Sequence, residues 1–93
     1  TVTPPRFVSG CRAPEIPQAL STQAATIRIE VRLLIGIDGS VQTATIVSGS
    51  PLVPDESILT CVRDQRYEPA ALPDGTRVPF PLRRRFVFRP DSL

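Results

Sequence analysis

Histidine, methionine, tryptophan and lysine are all missing from this 93-residue chain. Without histidine it lacks the commonest zinc ligand and the usual general base near neutral pH. Its two cysteines, Cys11 and Cys61, are too few to hold zinc unaided. Aromatics are scarce, four Phe and one Tyr, so each one matters to the core. No apolar run approaches the ~18 residues that span a bilayer. Residues 1–5 offer neither the basic nor the apolar stretch of a signal peptide. Neither an internal repeat nor a low-complexity segment is found. All 11 cationic side chains are Arg, against 9 acids, and the resulting +2 does not by itself indicate nucleic acid or an anionic membrane. What is there, 41% hydrophobic and 22% charged residues, is the composition of a folded globular domain rather than a disordered tail. At this length it predicts one domain with a modest core.

Residues 1–17 carry Pro4, Pro5, Pro14 and Pro17 without periodicity and read as an extended arm. Residues 18–25 fit a two-turn helix entered through Pro17. The clearest signal is at 26–37. Ile27, Ile29, Val31, Leu33, Ile35 and Ile37 share one phase of a two-residue period, and Arg28, Glu30, Arg32, Leu34 and Gly36 the other. That is a half-buried antiparallel strand. Asp38-Gly39 then turns the chain into a return strand at 41–48, whose apolar residues need a bulge between Val41 and Ala44 to keep phase. Pro54-Asp55-Glu56 opens a helix near 55–66, with Ile58, Leu59, Cys61 and Val62 on its apolar side and Pro69 as its stop. After the Pro73-Asp74-Gly75 turn, Phe80, Leu82, Phe86 and Phe88 share one phase of a last strand near 82–89. Pro79 and Pro81 cannot donate ladder hydrogen bonds, which puts the beginning of that strand at an edge or outside the sheet. The predicted fold is α+β: a three-stranded antiparallel sheet with two helices packed on one face, spanning 18–93 behind the arm.

Nothing in this set of residues assembles a catalytic site. Ser48, Ser50 and Ser57 have no histidine to activate them, and Glu68 has no second acid or base beside it. Asp55 and Glu56 suit the start of a helix better than acid–base chemistry. The chain reads as a non-enzyme that needs neither cofactor nor metal. Arg83-Arg84-Arg85 with Phe86, Phe88 and Arg89 fits the charge-plus-stacking pattern of single-strand nucleic-acid binders. The alternation, however, commits both Phe to the core, leaving a solvated charged face or a basic edge that blocks aggregation while docking a partner. Arg84 falls in the apolar phase, and only a bulge, a sheet margin or a partner carboxylate accounts for it there. Cys11 and Cys61 read either as a disulfide pinning the arm onto the helix or as one buried and one exposed thiol.

The order of these elements resembles the C-terminal domain of TonB-family energy transducers over about residues 13–89. The resemblance lies in the strand ending Asp38-Gly39-x-Val41 and in the helix block from Asp55 to Arg66-Tyr67-Glu68-Pro69-Ala70. It continues in Gly75-x-x-Val78 and Phe86-Val87-Phe88. The chain departs from the family pattern at Ile16, where Tyr or Phe is usual, at Gln65, where Trp is usual, and at Pro79 and Pro81. The resemblance implies a periplasmic protein-interaction module anchored to the inner membrane in the full-length protein. A proton-driven motor complex would act on its N-terminal part. The domain would grip a short extended segment of an outer-membrane transporter, the TonB box, by strand addition, and would bind no nucleic acid. The partner-binding residues implied are Leu82, Arg83, Arg84, Arg85, Phe86, Val87, Phe88 and Arg89, bordered by Ala13, Pro14, Glu15, Ile16 and Pro17. The periplasmic setting in turn implies the Cys11–Cys61 disulfide. The same exposed edge admits a homodimer. The alternative within this resemblance is a TonB-like domain of another envelope-spanning complex, serving motility or signalling.

Overall fold

A computed structural model of the chain describes residues 1–14 and 26–88. Its centre is the strand that the alternation marks. β2 (Ile27–Ile35) buries Ile27, Ile29, Val31, Leu33 and Ile35 to 6% exposure or less. Each contributes roughly 1.5–3 kcal/mol as an upper estimate. β3 (Val41–Ser48) pairs antiparallel on one side of β2 and β7 (Phe80–Phe88) on the other, giving the order β3-β2-β7.

The turn from β2 to β3 is built by Gly36-Ile37-Asp38-Gly39. The Gly39 N–H donates to the Gly36 carbonyl at 3.0 Å and the Gly36 N–H to Ser40 O at 2.9 Å. Gly39 sits at φ +84°, and a Cβ there would run into the Tyr67 carbonyl, so glycine is required twice over. The Asp38 carboxylate accepts from the Ser40 amide at 3.0 Å and the Ser40 hydroxyl at 2.7 Å. The expected inward phase stops short of Ile37, which lies in this turn and is 55% exposed. The expected bulge is present: Leu34 faces Thr43 while Ile35 faces Val41, leaving Gln42 over. A second irregularity follows where the register passes from Ile46 to Ser48.

α1 (Asp55–Asp64) buries Ile58, Cys61 and Val62 against the sheet and opens with Asp55 and Glu56 in its first turn. It ends at Gln65, whose backbone is extended (φ −70°, ψ 146°), four residues before the proline expected to stop it. The chain leaves the helix there because Arg66–Glu68 is needed as a strand. This segment, β4, pairs antiparallel with β1 (Arg6–Ser9), the middle of the arm. Thr3 and Ala71 continue that zipper with reciprocal backbone bonds of 2.8 and 3.1 Å. β5 (Ala70–Ala71) and β6 (Arg77–Val78) close a small hairpin around Asp74-Gly75.

These elements correct the predicted architecture. Instead of two helices on a three-stranded sheet, the described residues form a mostly-strand domain with one helix, one three-stranded sheet and two two-stranded ribbons. The helix expected at 18–25 lies outside the described residues. The layer over the sheet is α1 together with the β1–β4 ribbon, which contributes Phe7 and Tyr67 to the same apolar cluster as Val31, Ile58, Val62 and Phe86. A stretch without periodicity thus supplies a strand, because its pairing partner is sixty residues away and only Phe7 faces inward. None of the described helices is long and apolar enough to cross a membrane.

Candidate functional site

β7 is the margin of the sheet, and the direction of its backbone groups follows from the hairpin. The Gly36 amide points to β3. Amides alternate sides along a strand, so the odd-numbered residues of β2 turn theirs toward β7. Opposite those odd residues stand Phe80, Leu82, Arg84, Phe86 and Phe88, which spend their amide groups on β2. Pro81, Arg83, Arg85 and Val87 therefore direct their backbone outward. Pro81, set opposite Leu34, obeys this parity, since a residue without an N–H fits where no bond to β2 is required. The strand accordingly begins at Phe80, two residues before the expected start at Leu82, with a proline inside it. Among the described residues no strand pairs with its outer edge. That edge offers N–H donors at Arg83, Arg85 and Val87, and none at Pro81.

Side chains sort by the same alternation. On the core side, Phe86 is buried and Phe80, Leu82, Arg84 and Phe88 are half-buried. Arg84 needs no bulge: it lies directly across from Val31 at the sheet margin. Its guanidinium carbon is 5.8 Å from the ring centres of both Phe7 and Phe86, within cation–π range. Among the described residues its Nε is buried with no hydrogen-bond partner. Its charge also reaches Tyr67, whose hydroxyl is pushed above its ordinary pKa by burial and pulled back partly by Arg84.

On the open side, the alternation sets Arg28 and Arg32 of β2 and Arg83 and Arg85 of β7 on the same face as one acid, Glu30. The Arg85 Nε donates to Glu30 Oε1 at 2.8 Å, and an Arg83 nitrogen lies 3.6 Å from Oε2. Arg83 and Arg85 thus share one acid of their own sheet. Two of the four guanidiniums meet the carboxylate, and four Arg against one Glu leave the face positive. It frames a shallow concavity of about 400 Å³ bordered by Arg28, Glu30, Ser48, Arg85 and Val87.

The described arm residues expected to border the edge, Ala13 and Pro14, are placed elsewhere. Cys11 is joined to Cys61 of α1 by a disulfide, as the resemblance implies, with Cα atoms 5.2 Å apart. The Cys11 amide donates to an Asp64 carboxylate oxygen at 3.0 Å, and Gln65 Nε2 donates to the Cys11 carbonyl at 2.8 Å. Pro14 lies beside Cys11 in a groove along α1 lined by Glu56, Ser57, Thr60 and Asp64. The structure thus puts Pro14 on the helix rather than beside the β7 edge, and Ala13 next to it is exposed. Among the described residues of this part of the arm, Arg12 comes nearest to that site, its guanidinium carbon 5.0 Å from the centre of Phe7, the ring on which Arg84 also rests. Glu15, Ile16, Pro17 and Arg89 lie outside the described residues.

Sequence reasoning missed three participants: Phe7, Gln65 and Glu30. The first two carry no local signal. Glu30 was legible in principle, as an acid on the same strand phase as Arg28 and Arg32. No protein-family model matches this chain, and no curated protein matches it.

Proposed function

We propose that this chain is a protein-interaction module whose β7 edge takes up an extended peptide as an added strand, and that it serves as the periplasmic domain of a TonB-like energy transducer. The observation that carries the reading is the row of outward amides at Arg83, Arg85 and Val87 on a nine-residue strand bonded to β2 along its inner side. Strand addition draws its affinity from such main-chain groups and its selectivity from side chains on alternate positions. The Cys11–Cys61 disulfide supports an oxidising compartment such as the periplasm. In this reading the peptide belongs to an outer-membrane transporter, and a proton-driven inner-membrane complex acts on a membrane-anchored part N-terminal to the domain. No reaction is performed on a substrate.

The test follows from the parity of the edge. Titrating a transporter's N-terminal peptide into labelled domain is expected to move the amide resonances of residues 82–88 most. Arg85→Pro removes one outward donor and no bond to β2, as Pro81 already illustrates, so it abolishes binding while the hairpin and helix stay folded. Arg85→Ala removes the side chain and keeps the donor, so binding survives. A peptide that moves the Arg28–Arg32 face instead, or binds the proline variant as well as the parent, sinks strand addition at β7.

A further inference from the structure

Arg84 is the one charged side chain that the alternation of β7 turns toward the core, and its surroundings are incompletely matched. Its guanidinium rests on Phe7 and Phe86, its Nε is buried, and among the described residues that nitrogen has no acceptor. The acid nearest to it in the ladder, Glu30, is on the opposite face of the sheet and engaged by Arg83 and Arg85. A buried donor left without a partner is costly, and a carboxylate meets a guanidinium with two parallel hydrogen bonds.

We infer that Arg84 is a specificity determinant of the β7 edge, which selects an extended peptide carrying an Asp or Glu on the core-facing side of the added strand, flanked two residues away on each side by apolar residues. The inference rests on the reading of that edge as a strand acceptor. Its geometry comes from the register. Arg83 and Arg85 offer the outward amides, so the peptide residue across from Arg84 occupies a non-hydrogen-bonded pair, where opposing side chains come closest. A carboxylate there lies over the guanidinium. The neighbouring core-facing positions lie across from Leu82, which is half-buried, and Phe86, so apolar side chains there extend the existing cluster. A second copy of this chain is the poorer occupant. Antiparallel self-pairing centred on Arg84 sets Arg84 against itself and Arg83 against Arg85, and like charges directly opposite destabilise a sheet.

Three synthetic peptides separate the possibilities: Thr-Val-Thr-Glu-Thr-Val-Thr, the same with Gln in place of Glu, and Thr-Val-Glu-Thr-Thr-Val-Thr, which shifts the acid to the outer phase. Each is titrated into the labelled oxidised domain at fixed salt. The first is expected to bind roughly tenfold more tightly than the other two, and Arg84→Gln is expected to erase that advantage while the Gln peptide binds both proteins alike. Equal binding of all three at the β7 amides overturns the role of Arg84 and leaves the edge reading standing. If no peptide, including one taken from a transporter, moves the β7 amides, the edge reading itself has failed. Concentration-dependent shifts of the same amides without peptide would assign the edge to a second copy and overturn the proposal.

Discussion

Gln65 offers the sharpest test of how the arm, the helix and the core are tied together. It is 0% exposed, its Nε2 donates to the Cys11 carbonyl at 2.8 Å, and its Oε1 accepts from the Tyr67 hydroxyl at 2.6 Å. Gln65→Leu keeps most of the volume and strands both partners. The Tyr67 hydroxyl is buried and loses its acceptor at about 1–3 kcal/mol, and the half-buried Cys11 carbonyl adds about 1 kcal/mol, giving roughly 2–4 kcal/mol in all. That is a large share of the ~5–15 kcal/mol typical of a domain. Tyr67→Phe alone orphans the Gln65 oxygen and costs about 1–2 kcal/mol. In the double variant the buried donor and acceptor vanish together, so its loss falls short of the two single losses by about 1–2 kcal/mol. Urea unfolding of the four proteins by circular dichroism, with the disulfide intact, measures the coupling. Losses that add to within about 0.3–0.5 kcal/mol would refute the claim that this hydrogen bond joins the two elements.

Replacing both Cys11 and Cys61 by Ser reopens a loop whose ends are 50 residues apart in sequence. In the chain-entropy account this costs about 4 kcal/mol, checked by the shift in denaturation midpoint against the oxidised parent. Gly39→Ala is expected to lose about 2–4 kcal/mol, from the left-handed backbone plus the collision with the Tyr67 carbonyl. Gly75→Ala, at φ +91° with nothing near its missing Cβ, loses only the conformational part, and equal losses in thermal melts would contradict this. Hydrogen bonds from the Ser40 hydroxyl and then the Ser40 amide hold the Asp38 carboxyl below its ordinary value of 3.8. A lowered native pKa gives stability that is fully present above the unfolded value and lost as pH falls through the native one. Asp38→Asn should therefore flatten the acid limb of the stability–pH curve below about pH 4.

What the sequence made legible was the part whose partners are close or periodic. β2 announced itself through five alternating aliphatics, the hairpin through Asp38-Gly39, the bulge through the slipped phase of Val41 and Ala44, and α1 through Ile58 and Val62 above an acidic first turn. The second layer was misjudged. β1 spans four residues with one half-buried side chain, too few to show a period, and its partner β4 is three residues squeezed between the end of the helix expected near 55–66 and Pro69. The end of α1 is set by the burial of Gln65, a tertiary fact with no local mark. At the candidate site, the edge and its prolines were readable because proline lacks a donor. Arg84 was visible as an anomaly of phase, but the ring it rests on, Phe7, comes from the far end of the chain.

The placement of β7 also decides how the domain would answer a mechanical load. A strand added along β7 and drawn parallel to its axis would strain the added ladder and the β7–β2 ladder in shear, so that many hydrogen bonds must yield at once. The same force applied across the strands would part them one pair at a time. Behind β7, β2 is bonded on both sides and its inner face is buried, so it cannot slide without dragging its five aliphatic side chains out of the cluster. Strength in this small domain is therefore directional, and single-molecule pulling along and across β7 would register two distinct rupture forces.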